Sequence, residues 1–185
     1  LHSNVSGAID AARHVRFIAT GLTLHDTGRI AAGGNIELGF FGDNSDRWSG
    51  FLNDGLIDAG GDVVFAGPIG GINHGVIRAG RTLQAAAGVV LPEPGNALPG
   101  SHPARAVDAD VVALANTGAL LAGEDLYLNL IGNDGGIISA RQDAFIWQSQ
   151  RGRYSDVYPV PVVAAGDITA GRDLYLFAPV DQGEP

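Results

Sequence analysis

The chain has 185 residues, a formal charge of −9, 45% hydrophobic residues and neither Cys nor Lys, so all 11 basic residues are Arg. That balance repels phosphate and excludes nucleic acid and bare anionic membrane as expected partners, and the missing Cys excludes disulfides and thiolate metal sites. No apolar run approaches the roughly 18 residues of a membrane-spanning helix, so membrane insertion is not expected; the start at Leu1, with no charged and apolar leader behind it, reads as a piece from the interior of something larger.

A repeat begins at Gly7. Two residues on stands Ile9, four on Ala11, and eight and ten on Val15 and Phe17. The second copy runs Gly28, Ile30, Ala32, Gly33, Ile36, Leu38, and the third Gly55, Ile57, Ala59, Gly60, Val63, Phe65. Further copies start at Gly75, Gly118, Gly136 and Gly166, giving gaps of 21, 27, 20, 43, 18 and 30 residues. The gap of 43 is about twice the shortest ones. "VDADVVAL", Val107 to Leu114, looks like a degenerate copy inside it and raises the expected number of units to eight.

Within each copy the apolar positions alternate with polar or small ones, the period of a strand with one buried face. Each unit therefore reads as strand, turn, strand, with pairs such as Leu22/Leu24 available for a third side. A unit of about 20 residues cannot bury its own apolar face and must stack on its neighbours. The expected fold is all-β, a parallel β-helix of about eight coils forming a single domain over 1–178, with a tail or linker at 179–185. Glycines 33, 60, 80, 123 and 171 fall at a corner, where positive φ or close backbone contact would require them. Ala12 and Arg141 take that place in two copies, so those turns either differ or carry about 1–2 kcal/mol of left-handed strain. Asp26, Asn53, Asn73, Asn116 and Asp134 stand two residues before a repeat glycine, as corner residues able to bond backbone amides or to stack as hydrogen-bonded ladders.

The phrases "RIAAGGNIEL", "LIDAGGDVVF", "ALLAGEDLYL" and "DITAGRDLYL" resemble the repeats of filamentous haemagglutinin and related two-partner-secretion exoproteins, including the stalks of contact-dependent growth inhibition proteins. The resemblance covers about Ser3 to Ala178. It implies a right-handed β-helix, exported through a partner outer-membrane transporter of a Gram-negative bacterium and displayed at the cell surface. The implied role is adhesion to a host or neighbouring-cell receptor or glycan; the alternative is the rigid stalk of a toxin-delivery protein. Three insertions, near 40–52, 88–106 and 148–160, depart from the compact repeat, and nothing of their function carries over. The second of these contains "PEPGNALPGSHP", whose four prolines force it out of the coil as a surface loop.

Outside the resemblance the competing class is a carbohydrate-active β-helix enzyme, which would need clustered acids on one face. Asn35, Asp62, Asp125, Asp143 and Asp173 form such a column, but they recur once per coil beside the turn, which suits structure better than catalysis. No catalytic residue and no cofactor are expected. His2, His14, His25, His74 and His102 share no metal-binding spacing. "GDNSD", Gly42 to Asp46, offers oxygens in an insertion but lacks a calcium-binding repeat, so no metal is expected. The candidate binding residues are aromatic. Nine residues after the repeat glycine stand Arg16, Glu37, Val64 and Gln84 in early copies but Tyr127, Phe145 and Tyr175 in the last three; eleven after it, Trp147 and Phe177 join them. These should point outward as one patch, either a sugar- or protein-binding face or a surface covered by the 148–160 insertion.

Overall fold

The computed structural model describes residues 2–40, 50–66, 69–85, 112–148 and 166–177. Among the described residues there are 19 strands and no helix. The first coil holds β1 (His2–Val5), β2 (Ala8–Ala11) and β3 (Val15–Ala19). The second holds β4 (Gly21–Leu24), β5 (Arg29–Ala32) and β6 (Ile36–Phe40). Then come β7 (Gly50–Asn53), β8 (Leu56–Ala59) and β9 (Val63–Ala66), followed by β10 (Ile69–Asn73), β11 (Val76–Ala79) and β12 (Leu83–Ala85). The remaining strands are β13 (Val112–Asn116), β14 (Ala119–Ala122), β15 (Leu126–Asn133), β16 (Ile137–Ala140), β17 (Ala144–Gln148), β18 (Asp167–Ala170) and β19 (Leu174–Phe177).

Every strand pairs in parallel with its counterpart one coil away. A seven-stranded sheet collects the middle strand of each coil, in the order β18-β16-β14-β11-β8-β5-β2. The first and third strands of the coils form two further faces, joined into one 12-stranded sheet through β15. The fold is therefore a parallel β-helix with three faces, and the third side expected at Leu22/Leu24 is β4. Repeat spacing became spatial register because each coil adds one strand per face, so residues one period apart are hydrogen-bonded neighbours. Ile9, Ile30, Ile57, Ile77, Leu120, Ile138 and Ile168 lie in one such row, and from Ile30 to Ile138 they are fully buried.

The eighth unit expected between Gly75 and Gly118 is not a coil. Strand β11 pairs directly with β14, Val76 opposite Ala119, and Ala119 N–H donates to the Gly75 carbonyl at 2.8 Å. Val112 to Leu114 instead belongs to β13 on the first face, opposite Ile69 to Gly71. Among the described residues the coils number seven, as the seven-stranded sheet shows. Phe40 and residues 50–52, within the stretch expected to depart from the compact repeat, are strand residues, and Phe40 and Phe51 are core side chains. Residues 88–106, 149–160 and 179–185, with "GDNSD" and "PEPGNALPGSHP", lie outside the described residues.

The shortest repeat, 18 residues from Gly118 to Gly136, is achieved by omitting a turn. Strand β15 runs round a corner: Leu126 to Leu128 pair with β12 and Leu130 to Asn133 with β13, with a register shift after Leu114 that leaves Ile131 without an opposite residue.

The interior explains the repeat glycines. A Cβ at Gly55, Gly75 or Gly118 would strike the carbonyl of the equivalent glycine one coil below, and one at Gly60 or Gly80 would do the same at the next corner. Crowding is the requirement, not left-handed backbone: Gly135, with φ of 69°, is the glycine of positive φ among the described residues. The left-handed strain expected at Ala12 and Arg141 therefore has no basis in the corner geometry. Gly71 serves packing, since it stands in register between Phe51 and Leu114, whose side chains fill the space a Cβ would enter.

One inward row is polar. Val5 and Leu24 begin it, and Asn53, Asn73, Asn116 and Asn133 continue it. The four Asn side chains are at most 3% exposed. Each hands an amide hydrogen to the next carbonyl oxygen, Asn53 to Asn73 at 2.6 Å, Asn73 to Asn116 at 2.7 Å and Asn116 to Asn133 at 2.7 Å, and Asn133 Nδ2 ends the ladder on the Gly136 carbonyl at 3.0 Å. Asp26 and Asp134, expected in this row, are not members. Leu24 holds the place in the second coil, and the extra residue Gly135 moves the sixth-coil member back to Asn133.

Candidate functional site

The aromatic column is assembled by β12, β15, β17 and β19. Register places Gln84, Tyr127, Phe145 and Tyr175 opposite one another in successive coils, and continues below through Val64, Glu37 and Arg16. Tyr127 and Phe145 alternate with the inward Leu126, Leu128, Ala144 and Ile146, so they leave the coil on its outer side. Tyr127 and Phe145 are stacked at 4.9 Å with parallel planes, and Phe145 and Tyr175 at 4.7 Å and 6°. These separations match the strand spacing of about 4.8 Å. Trp147 lies 6.5 Å from Phe145 at 20°. Phe177 stands opposite Trp147 in backbone register.

This geometry decides what the column can offer a ligand. Both faces of Phe145 are taken by tyrosine rings, so the column turns ring edges outward, and a sugar cannot lie face-on against Phe145. Phe145, Trp147 and Tyr175 are half-buried, while Tyr127 is only 7% exposed. Asn129, opposite Trp147 on the same outward alternation, is 2% exposed. The outer surface around β15 is thus withdrawn from water although its side chains point away from the core. Burial is the main reason that the Tyr127 hydroxyl is pushed up to about 12, with the negative charges of Asp125 and Asp143 adding to it.

The acidic column is spent on the backbone. Asp62 N–H donates to Asn35 Oδ1 at 3.1 Å, Thr82 N–H to Asp62 Oδ1 at 3.2 Å, Asp143 N–H to Asp125 Oδ1 at 3.1 Å and Asp173 N–H to Asp143 Oδ1 at 3.1 Å. His14 begins the series, its Nδ1 accepting from Asn35 N–H at 3.0 Å. The spacing had not suggested that a histidine would do an Asx residue's work; its place one residue before Val15, where Asn35 and Asp62 precede Ile36 and Val63, was the available signal.

Ion pairs on the surface also join adjacent coils. Arg78 forks onto Asp58 at 2.8 and 2.7 Å, Arg172 onto Asp143, and Arg81 meets Asp62 at 2.6 Å. The bonded guanidinium is the largest influence holding the Asp58 and Asp143 carboxyls below their usual range. Arg16–Glu37 at 3.2 Å and Arg29–Asp10 at 3.5 Å complete the arginine pairs among the described residues, and His74 Nδ1 shares a hydrogen bond with Asp54 Oδ1 at 2.8 Å. Open grooves on the outer side of the seven-stranded sheet are lined by the Arg29–Asp10 and Arg78–Asp58 pairs, by Ala and Gly residues, and by Leu121 and Arg141. Among the described residues no three His, Asp or Glu side chains gather where they could hold a metal ion, and no helix is long and apolar enough to cross a membrane.

No protein-family model, no curated protein and no solved structure matches the chain.

Proposed function

We propose that this chain is a rigid spacer within a large secreted exoprotein of the haemagglutinin-like kind, displayed at the surface of a Gram-negative bacterium after export through a partner outer-membrane transporter. Its part in attachment, or in delivery of a toxin, is to set distance. The observation that carries this reading is how the polar columns are used: the buried Asn ladder, the Asx-to-amide series and the Arg–Asp pairs all run coil to coil along the axis. Groups committed to the neighbouring coil brace the rod and are poorly placed to recognise a ligand. The resemblance of "LIDAGGDVVF" and "DITAGRDLYL" to haemagglutinin repeats supports the same assignment.

A second reading, direct attachment to a receptor or glycan, is favoured by one observation: Phe145, Trp147 and Tyr175 present a contiguous row of half-buried rings. The two readings separate in a binding experiment on the isolated chain against host cells, neighbouring bacteria and a glycan array. The spacer reading expects no saturable binding. Saturable binding that disappears in Trp147→Ser, with the strand spectrum intact, would overturn it in favour of attachment.

A further inference from the structure

We infer that the outer face of the seven-stranded sheet pairs with the same face of a second copy, the two rods lying side by side with their axes antiparallel. One outward row of that sheet runs, in register, Arg29, Leu56, Val76, Ala119, Ile137, Asp167. Its middle is apolar and its two ends carry opposite charges. Ile137 is 48% exposed although a strand pairs on either side of it, and Leu56, Val76 and Ala119 are half-buried. The next outward row on the same strands runs Asp58, Arg78, Leu121, Ser139. Leu121 is half-buried and lines an open groove, so it widens the apolar strip beside Ala119. A contiguous apolar patch rimmed by charge is the usual mark of a protein contact.

The occupant that fits is a second copy, because the row is complementary to its own reverse. A two-fold axis along the strand direction, midway between Val76 and Ala119, lays the row on itself end for end. Arg29 then meets Asp167 of the second copy, Leu56 meets Ile137 and Val76 meets Ala119, and each contact is made twice. In the next row Arg78, its guanidinium held by Asp58, lies over Leu121, and Asp58 faces Ser139 instead of another carboxylate. The neighbouring registers do not fit. A slip of one coil in one direction sets Arg78 on Arg78 of the second copy, and a slip in the other sets Leu56 on Asp167. The charged ends are available: Asp167 forms no ion pair among the described residues, and the bridge from Arg29 to Asp10 is long at 3.5 Å. A junction of this kind is isologous and closes at a dimer. Six strands of four residues give a face of roughly 29 by 13 Å, less than the ~800 Å² per partner of a standard interface. The formal charge of −9 on each copy also opposes the contact, so the pair is a weak one. The surface is a different face from that of Phe145 and Trp147, and the inference does not depend on the spacer reading.

Sedimentation equilibrium of the purified chain tests this directly. The wild type should pass reversibly from monomer to dimer at concentrations up to about 1 mM and go no further. Arg29→Asp and Asp167→Arg each set like charges face to face twice, and each should weaken dimerisation by about tenfold or more. Ile137→Arg, which drives a charge onto Leu56 of the second copy, should abolish it. All three sites are exposed, so the strand spectrum should be unchanged. Mixed one to one, the two charge variants restore both opposite-charge contacts and should pair with each other within a few-fold of the wild type. Trp147→Ser, on another face, should dimerise as the wild type does, which keeps this result separate from the attachment test above. A wild-type chain that stays monomeric over that range, a single charge variant or Ile137→Arg that pairs as the wild type does, a mixture no better than its components, or loss of the dimer in Trp147→Ser would each overturn the proposal.

Discussion

Asn73 shows how a single side chain is committed in this protein. It accepts from Asn53, donates to Asn116, and also places its amide 3.2 Å from the Gly75 carbonyl. A buried amide with all its partners is close to neutral in stability, but removing a middle member leaves donors and acceptors on both sides without them. Asn73→Leu keeps the branching and the number of heavy atoms and is of the kind already present at Leu24, yet it should destabilise the chain by about 1–3 kcal/mol, because Asn53 and Asn116 each lose a partner. Asn133→Leu, at the end of the ladder, should cost less. Denaturant midpoints of the two variants give the comparison, and equal midpoints would mean that the ladder does not act as a connected unit. The sequence showed most of this row, since Asn53, Asn73 and Asn116 all stand two residues before a repeat glycine. It did not show that Gly135 shifts the next member to Asn133, because a one-residue insertion moves a side chain to the other face of the strand.

At the scale of the coil, the period measured along the chain equals the register between strands, and this makes whole coils interchangeable where their side chains match. Removing residues 118–135, one period from repeat glycine to repeat glycine, takes out β14 and β15 and sets β16 on β11 with Ile138 over Ile77. That variant should keep its strand spectrum and a single unfolding transition. Removing residues 55–74 is also one period, but it brings Phe51 against Leu114 where Gly71 had left room. Overpacking of that kind costs about 1–3 kcal/mol, so this variant should show the lower midpoint in urea. The reverse order would mean that the Phe51 to Leu114 spacing is not what Gly71 preserves. The same logic explains the miscounted eighth unit. An inserted segment of about one period is indistinguishable in spacing from a coil, and only the direct pairing of β11 with β14 shows that no coil stands between them.

The whole molecule should lose stability at both ends of the pH scale for different reasons. The Asp58 and Asp143 carboxyls lie below their ordinary value of 3.8 in the folded chain because Arg78 and Arg172 bond them. A depressed acid contributes stability that is present above the unfolded value and is lost as pH falls through the folded one. Unfolding free energy should therefore drop below about pH 4, and an Asp58→Asn, Asp143→Asn double variant should show a flatter acid limb. Both pairs are solvent-screened, and the Asp58–Arg78 pair contributes at most about 1 kcal/mol. Tyr127 works in the other direction: its hydroxyl is pushed from 10.0 up to about 12, so the unfolded chain releases that proton first and stability falls as pH rises through this interval. Tyr127→Phe should remove this part of the alkaline loss. Chemical denaturation across the pH range measures both limbs, and a Tyr127→Phe variant with an unchanged alkaline limb would show that the buried hydroxyl is not its source.

The sequence by itself determined the repeat, the alternation within it, the small Ala and Gly columns and hence a stacked β architecture, because in a solenoid the contacts that matter recur at a fixed separation along the chain. It also set the aromatic column in line, since Tyr127, Phe145 and Tyr175 follow their repeat glycines at the same distance. Only the tertiary structure decided how those rings lie. Their stacking at the strand spacing turns edges outward and closes the faces of Phe145, and the burial of Tyr127 and Asn129 depends on what surrounds β15 as well as on the direction in which they point. Position in a repeat fixes a side chain's row and face. Orientation about its own bonds and cover from elsewhere in the chain are set by three-dimensional packing, which no spacing along the chain records.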